Sequence, residues 1–155
     1  MMMLRFVLAS VLVAALAAPG FAQGSASKTE TMTATPAASI KWGDINVPGF
    51  DPGLKIAVLS GNPDATGPYT LRLSFPANYR FPPHWHPNAE NLTVVSGTFQ
   101  LAMGERVDNS QLKNYGVGDF LFIPAKHPHF GGVKGATVIQ LHGEGPFTIN
   151  LVEKK

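Results

Sequence analysis

His84 and His86 stand two residues apart in the stretch PPHWHPNAENLTVVSG, residues 82–97, and Glu90 follows four residues later. Imidazole nitrogens and a carboxylate are donors well suited to a borderline divalent metal ion. On an extended strand residues i and i+2 point to one face, so both rings can reach a common point. Pro87, Asn88 and Ala89 supply a turn, after which Glu90 opens the next apolar run and can face the same point from a neighbouring strand. The histidine pair alone would equally suit two rim residues beside a proline turn. Glu90 at this spacing favours ligands.

The order H-x-H, three residues, E, six residues, G, ending at Gly97, resembles the first motif of the cupin family. GDFLFIPAKHPHF, with Gly118, Pro124 and His129 in order, resembles its second motif. The resemblance covers residues 42–152 and implies an all-β fold, the double-stranded β-helix or jelly-roll barrel. It also implies that His84, His86, Glu90 and His129 together hold one divalent transition metal ion. Family members with such donors use iron, manganese, zinc, copper or nickel, so the metal's identity stays open, as does pairing into a homodimer, a common habit of the family. The chain departs from the family pattern at three positions: Asn78 and Lys126 replace glycines, and Val133 stands where asparagine is frequent. These are turn and framework positions, so the departures bear on loop geometry more than on ligands.

Other residues are weaker candidates. Gln140 and His142 share one face of an expected strand and could act at the pocket as orienting group and proton carrier, although a satisfied core histidine explains His142 as well. His127 precedes His129 by two, but Pro128 between them leaves its phase open. Arg80 is in phase with Pro82 and His84, so it could meet an acidic substrate at the mouth. Phe122, with Phe120, Phe130 and Phe147, is expected to pack the barrel or line a partly apolar pocket for a small molecule. Trp85, out of phase with its neighbouring histidines, should face away from the metal.

The elements that must position these residues are short strands. Only 14% of the 155 residues are charged, while 16 Gly and 13 Pro punctuate the chain, a balance that suits strands and tight turns. Residues 69–75 alternate Tyr, Leu, Leu and Phe against Thr, Arg and Ser, the period of a half-buried strand. Further strands are expected at 55–59, 80–86, 90–95, 98–103, 119–123, 138–142 and 147–152, with 104–118 a polar loop. The length is that of one domain, here residues 40–155. The chain has no cysteine, which excludes disulfides, thiolate ligands and cysteine nucleophiles.

Residues 1–22 read as a secretory signal: Arg5, an apolar core over 6–18, and Gly20-Phe21-Ala22 as a cleavage site. The apolar core falls short of the roughly 18 residues of a spanning helix, so no membrane attachment is expected after cleavage. Arg5 has no arginine neighbour, so export should precede folding and the metal should be acquired outside the cytoplasm, a bacterial periplasm being the natural location. Residues 23–39, rich in Ser, Thr and Ala, read as a flexible linker. Of the 12 basic residues only Arg5 lies in the leader, leaving 11 against 10 acidic ones. Without a basic run, nucleic-acid binding is unsupported. The leading readings are a metal-dependent enzyme acting on a small molecule, of oxygenase or oxidase type with isomerase and decarboxylase chemistry open, and a non-catalytic periplasmic metal- or ligand-binding module; a metal-free sugar-binding cupin would require the set His84, His86 and Glu90 to be accidental.

Overall fold

The structure, a computed structural model, describes residues 31–153. The expected leader and residues 23–30 of the expected linker lie outside the described residues. Residues 31–39 are exposed and form one short 3-10 turn, Ala37–Ser39.

Eleven strands follow in the described residues: β1 (Gly43–Asp44), β2 (Lys55–Ser60), β3 (Gly67–Phe75), β4 (Arg80–Trp85), β5 (Glu90–Ser96), β6 (Phe99–Met103), β7 (Lys113–Tyr115), β8 (Phe120–Ile123), β9 (His129–Val133), β10 (Thr137–Gly145) and β11 (Asn150–Leu151). They form two antiparallel sheets, six strands in the order β1-β2-β3-β10-β5-β8 and five in the order β11-β4-β9-β6-β7. This is the jelly-roll architecture of the cupin fold, with the apolar faces of both sheets turned to a shared interior. Along β3 the alternation is direct: Tyr69, Leu71, Leu73 and Phe75 are buried, while Thr70, Arg72 and Ser74 are partly exposed. Each fully buried leucine of this kind contributes about 1.5–3 kcal/mol by leaving water.

Three strands are not evident from sequence pattern. β1 and β7 are only two and three residues long, and β7 interrupts the expected 104–118 loop. β9 contains Gly131 and Gly132, which ordinarily argue against a strand. Their reason is close approach: a Cβ on Gly131 would collide with the Gln100 carbonyl of β6, and one on Gly132 with the Tyr79 carbonyl. Among the described residues no helix is long and apolar enough to cross a membrane.

Asn78 and Lys126 both adopt φ of 62°, the left-handed region that favours glycine. The chain therefore keeps the backbone of the two motif turns without their glycines. At Lys126 this directs the amide onto the His86 carbonyl, at 2.8 Å. Val133, where asparagine was the family expectation, is fully buried in the core.

Candidate metal centre

His84 lies on β4, His86 just beyond its end, Glu90 at the start of β5 and His129 at the start of β9. The ladder sets His84 directly opposite His129, with ring centroids 4.3 Å apart. The three histidines offer one ligand atom each within 4.8 Å of one another, and three buried imidazoles so placed could bind a metal ion. The Glu90 carboxylate joins them, its Oε2 3.3 Å from His86 Nε2 and 3.5 Å from His129 Nε2. All four side chains are buried.

The rings are held by the backbone. The Nδ1–H of His84 donates to the Pro82 carbonyl (2.9 Å), that of His86 to Thr148 (2.8 Å) and that of His129 to His127 (3.0 Å). A carbonyl oxygen can only accept, so each Nδ1 carries the proton and each Nε2 presents its lone pair. This outer-shell arrangement selects the metal-binding tautomer in advance.

Electrostatics agree with that role. Burial first, and then the neighbouring His129, pull His84 down to about 2. Burial and His129 likewise pull His86 to about 4, and burial lowers His129. The rings are therefore neutral and free of proton competition at neutral pH. Burial pushes Glu90 up to about 8. A bound cation would hold Glu90 ionised and compensate the charge that burial disfavours. The donors thus fit a divalent ion of the borderline group.

The cluster opens onto a cavity of about 40 Å³ whose walls are otherwise apolar, including Leu73, Phe81, Leu92, Phe99 and Leu141. Phe50, from the loop after β1, meets the His84 ring edge-on at 5.0 Å. Phe147, between β10 and β11, stacks on His86 at 4.9 Å and 15°. Phe147 was among the aromatic candidates; Phe50 has no local signal beyond a lone aromatic between glycine and proline turns. Tyr69 also lies near: its hydroxyl is held protonated, first by burial and then by the charge of Glu90.

Four expected site residues are not brought to the cavity. Arg80 is out of phase because the β4–β9 ladder slips by one residue: Phe81 faces Gly131, and His84, three residues on, faces His129. Pro82 and Pro83 occupy the irregularity, where their missing N–H groups cost no ladder bond. Phe81 and His84 therefore share the inner face, while Arg80 is exposed and its guanidinium donates to the carbonyls of Tyr79 (3.2 Å) and Val133 (3.0 Å).

Gln140 and His142 do share a face of β10, but it is the outer one. Burying Ile139 and Leu141 decides the phase. Gln140 accepts a hydrogen bond from Arg72 Nε at 3.1 Å, and His142 is exposed. Phe122 is 60% exposed, because Leu121 and Ile123 take the inner face of β8. His127 is exposed as well, its ring bonded to the Ala125 carbonyl. Trp85 is half-buried, and its backbone pairs with Asn150 on the neighbouring β11.

The family model of the ChrR cupin-like domain matches residues 30–148. The chain belongs to this cupin family. Among solved structures it is similar to the polyketide cyclase RemF from Streptomyces resistomycificus, with a TM-score of 0.66, 22% identity and coverage of 81% of this chain and 88% of that one. An RmlC-like cupin from Shewanella frigidimarina gives a TM-score of 0.56 at 19% identity, covering 74% and 91%. A cupin 2 conserved barrel domain protein from Rhodopseudomonas palustris gives 0.60 at 12%, covering 79% and 86%. At these identities the likeness concerns the fold. A comparison with curated proteins finds no match.

Proposed function

We propose that this cupin is a metal-dependent enzyme acting on a small molecule, of the oxygenase or oxidase class, with His84, His86, Glu90 and His129 as its ligands. The observation that carries this reading is the convergence of three pre-oriented Nε2 atoms and one carboxylate on a cavity without other polar side chains among the described residues. These four residues would hold a borderline divalent ion and would leave it accessible to a small molecule from the cavity. When bound, the ion supplies Lewis acidity and, if redox-active, electron transfer to dioxygen. The chain's own part is to hold the donors in one tautomer, to neutralise one charge through Glu90, and to exclude water with Phe50 and Phe147.

The test is elemental analysis of the protein purified without added metal, alongside His86→Ala. Near-stoichiometric iron, manganese, copper or nickel that is lost in the variant, with oxygen uptake on a substrate panel, is the expected result. Absence of metal after reconstitution would overturn the reading.

A second reading, a non-catalytic periplasmic metal- or ligand-binding module, draws on the cover that Phe50 and Phe147 place over the histidines. Zinc alone, with no turnover and a large fall in melting temperature on chelation, would favour it. Export with cleavage after Ala22 belongs to either proposal, and N-terminal sequencing of the periplasmic protein checks it.

A further inference from the structure

Among the described residues the cavity's polar side chains are confined to the four proposed ligands; no Lys, Arg, Ser, Thr, Tyr, Asn or Gln of these lines it. A ligand entering it can place heteroatoms on the metal centre, but its remaining atoms meet only hydrocarbon. A second charge, or a hydroxyl far from the centre, would be desolvated without a partner. The centre itself can accept one negative charge, because a divalent ion beside one carboxylate and three neutral imidazoles carries a net single positive charge. Space is also limited: about 40 Å³ accommodates roughly three water-sized groups.

The mouth can be located by exposure. Of the lining residues only Phe50, Phe147 and Ile149 are partly exposed, the others being buried. Phe50 and Phe147 come from connections between strands rather than from the barrel wall. Their rings lie against His84 and His86 respectively, so any molecule reaching the metal centre must pass or displace them. The Phe147 segment also carries Thr148, whose carbonyl orients His86.

We propose that the site selects compact ligands with a single oxygen-donor head, neutral or singly anionic, and an uncharged apolar remainder, and that Phe50 and Phe147 set the upper size. Polyols, zwitterions and dianions are excluded by the absence of any second polar partner. This selection rests on the metal-centre reading of the preceding section.

The test uses the full chain loaded with cobalt(II), whose visible absorption reports coordination independently of turnover. The probes are acetohydroxamate, benzohydroxamate, propanohydroxamate and glycine hydroxamate, the last two matched in length and differing in one charge. Acetohydroxamate should perturb the cobalt spectrum at the lowest concentration. Propanohydroxamate should bind at least tenfold more tightly than its ammonium-bearing counterpart, glycine hydroxamate. Phe147→Leu and Phe50→Leu, each first shown to hold cobalt in a one-to-one ratio, should narrow the preference for acetohydroxamate over benzohydroxamate by tenfold or more.

Equal binding of the matched pair to the wild-type chain would overturn the charge selection whatever the variants do. An unchanged size preference in both variants would overturn the role of the two phenylalanines. Failure of the wild-type chain to give any cobalt spectrum would instead overturn the metal centre, and with it this proposal.

Discussion

His84, His86 and His129 sit in the barrel interior with their Nδ1 atoms tied to carbonyls, whereas His127 and His142 lie on the surface. The second pair is not poorer in hydrogen-bonding capacity, since the His127 ring also donates to a carbonyl. What separates the groups is burial: His142 falls on the outer face of β10 and His127 in the exposed turn between β8 and β9, whereas the first three lie inside the barrel. Burial makes the first three poor bases at neutral pH. A histidine becomes a candidate ligand here through its placement in the barrel interior, not through residue type.

The strongest way to break this comparison is to substitute within each group. His129→Ala should weaken metal binding by at least about 100-fold, more than outer-shell losses of 10–100-fold elsewhere. His142→Ala and His127→Ala should leave the stoichiometry at one. Metal titrations of the three variants would measure this, and an equal loss in His142→Ala would undo the distinction.

The same two faces should differ in stability. Leu141→Ala, on the inner face of β10, should cost about 2–5 kcal/mol in denaturant unfolding, as buried leucine truncations do. Phe122→Ala, on the outer face of β8, should stay within about 0.5 kcal/mol.

The pH response sharpens the contrast further. In the metal-free protein Glu90 is raised from 4.5 to about 8, so its contribution is full below pH 4.5 and lost as pH rises through 8. The buried histidines are lowered from 6.5, His86 to about 4 and His84 to about 2, so their contribution is present above pH 6.5 and lost as pH falls. Melting temperatures of the metal-free chain should therefore peak at about pH 6.5. Added zinc should remove the decline above that pH, because Glu90 is ionised in the complex. A metal-free profile that rises steadily to pH 8 would contradict the burial of Glu90.

The smallest expected effect concerns the turns. Lys126→Gly should stabilise by about 0.5–1 kcal/mol, since relief of the left-handed conformation exceeds the added flexibility of the unfolded chain. Asn78→Gly should gain less, because asparagine tolerates this region better. Chemical denaturation midpoints would resolve the pair.

Much of the fold is legible in the chain itself. The alternation at residues 69–75 and the turns around it identify half-buried strands, because each side chain's neighbours two residues away report which face is buried. The convergence of His84 with His86 follows from the same local geometry. Arg80 shows where that reasoning stops. Its assignment requires an unbroken phase from residue 80 to 84, and the slip at Pro82 and Pro83 exists only in pairing with Gly131 and His129 of β9. For β10, periodicity identifies two possible inner sets, and the one containing Ile139 and Leu141 is chosen by what faces it across the barrel.

By itself the sequence determined the donor types, their spacing within each motif and the all-β character, because these depend on residues close together in the chain. Only the tertiary structure decided that β9 can be a strand despite its glycines, that Phe50 and Phe147 cover the histidines, and that the carbonyls of Pro82, His127 and Thr148 orient them. The physical reason is that ladder register and loop placement are settled between segments far apart in sequence. His86 and Thr148 are 62 residues apart and meet at 2.8 Å.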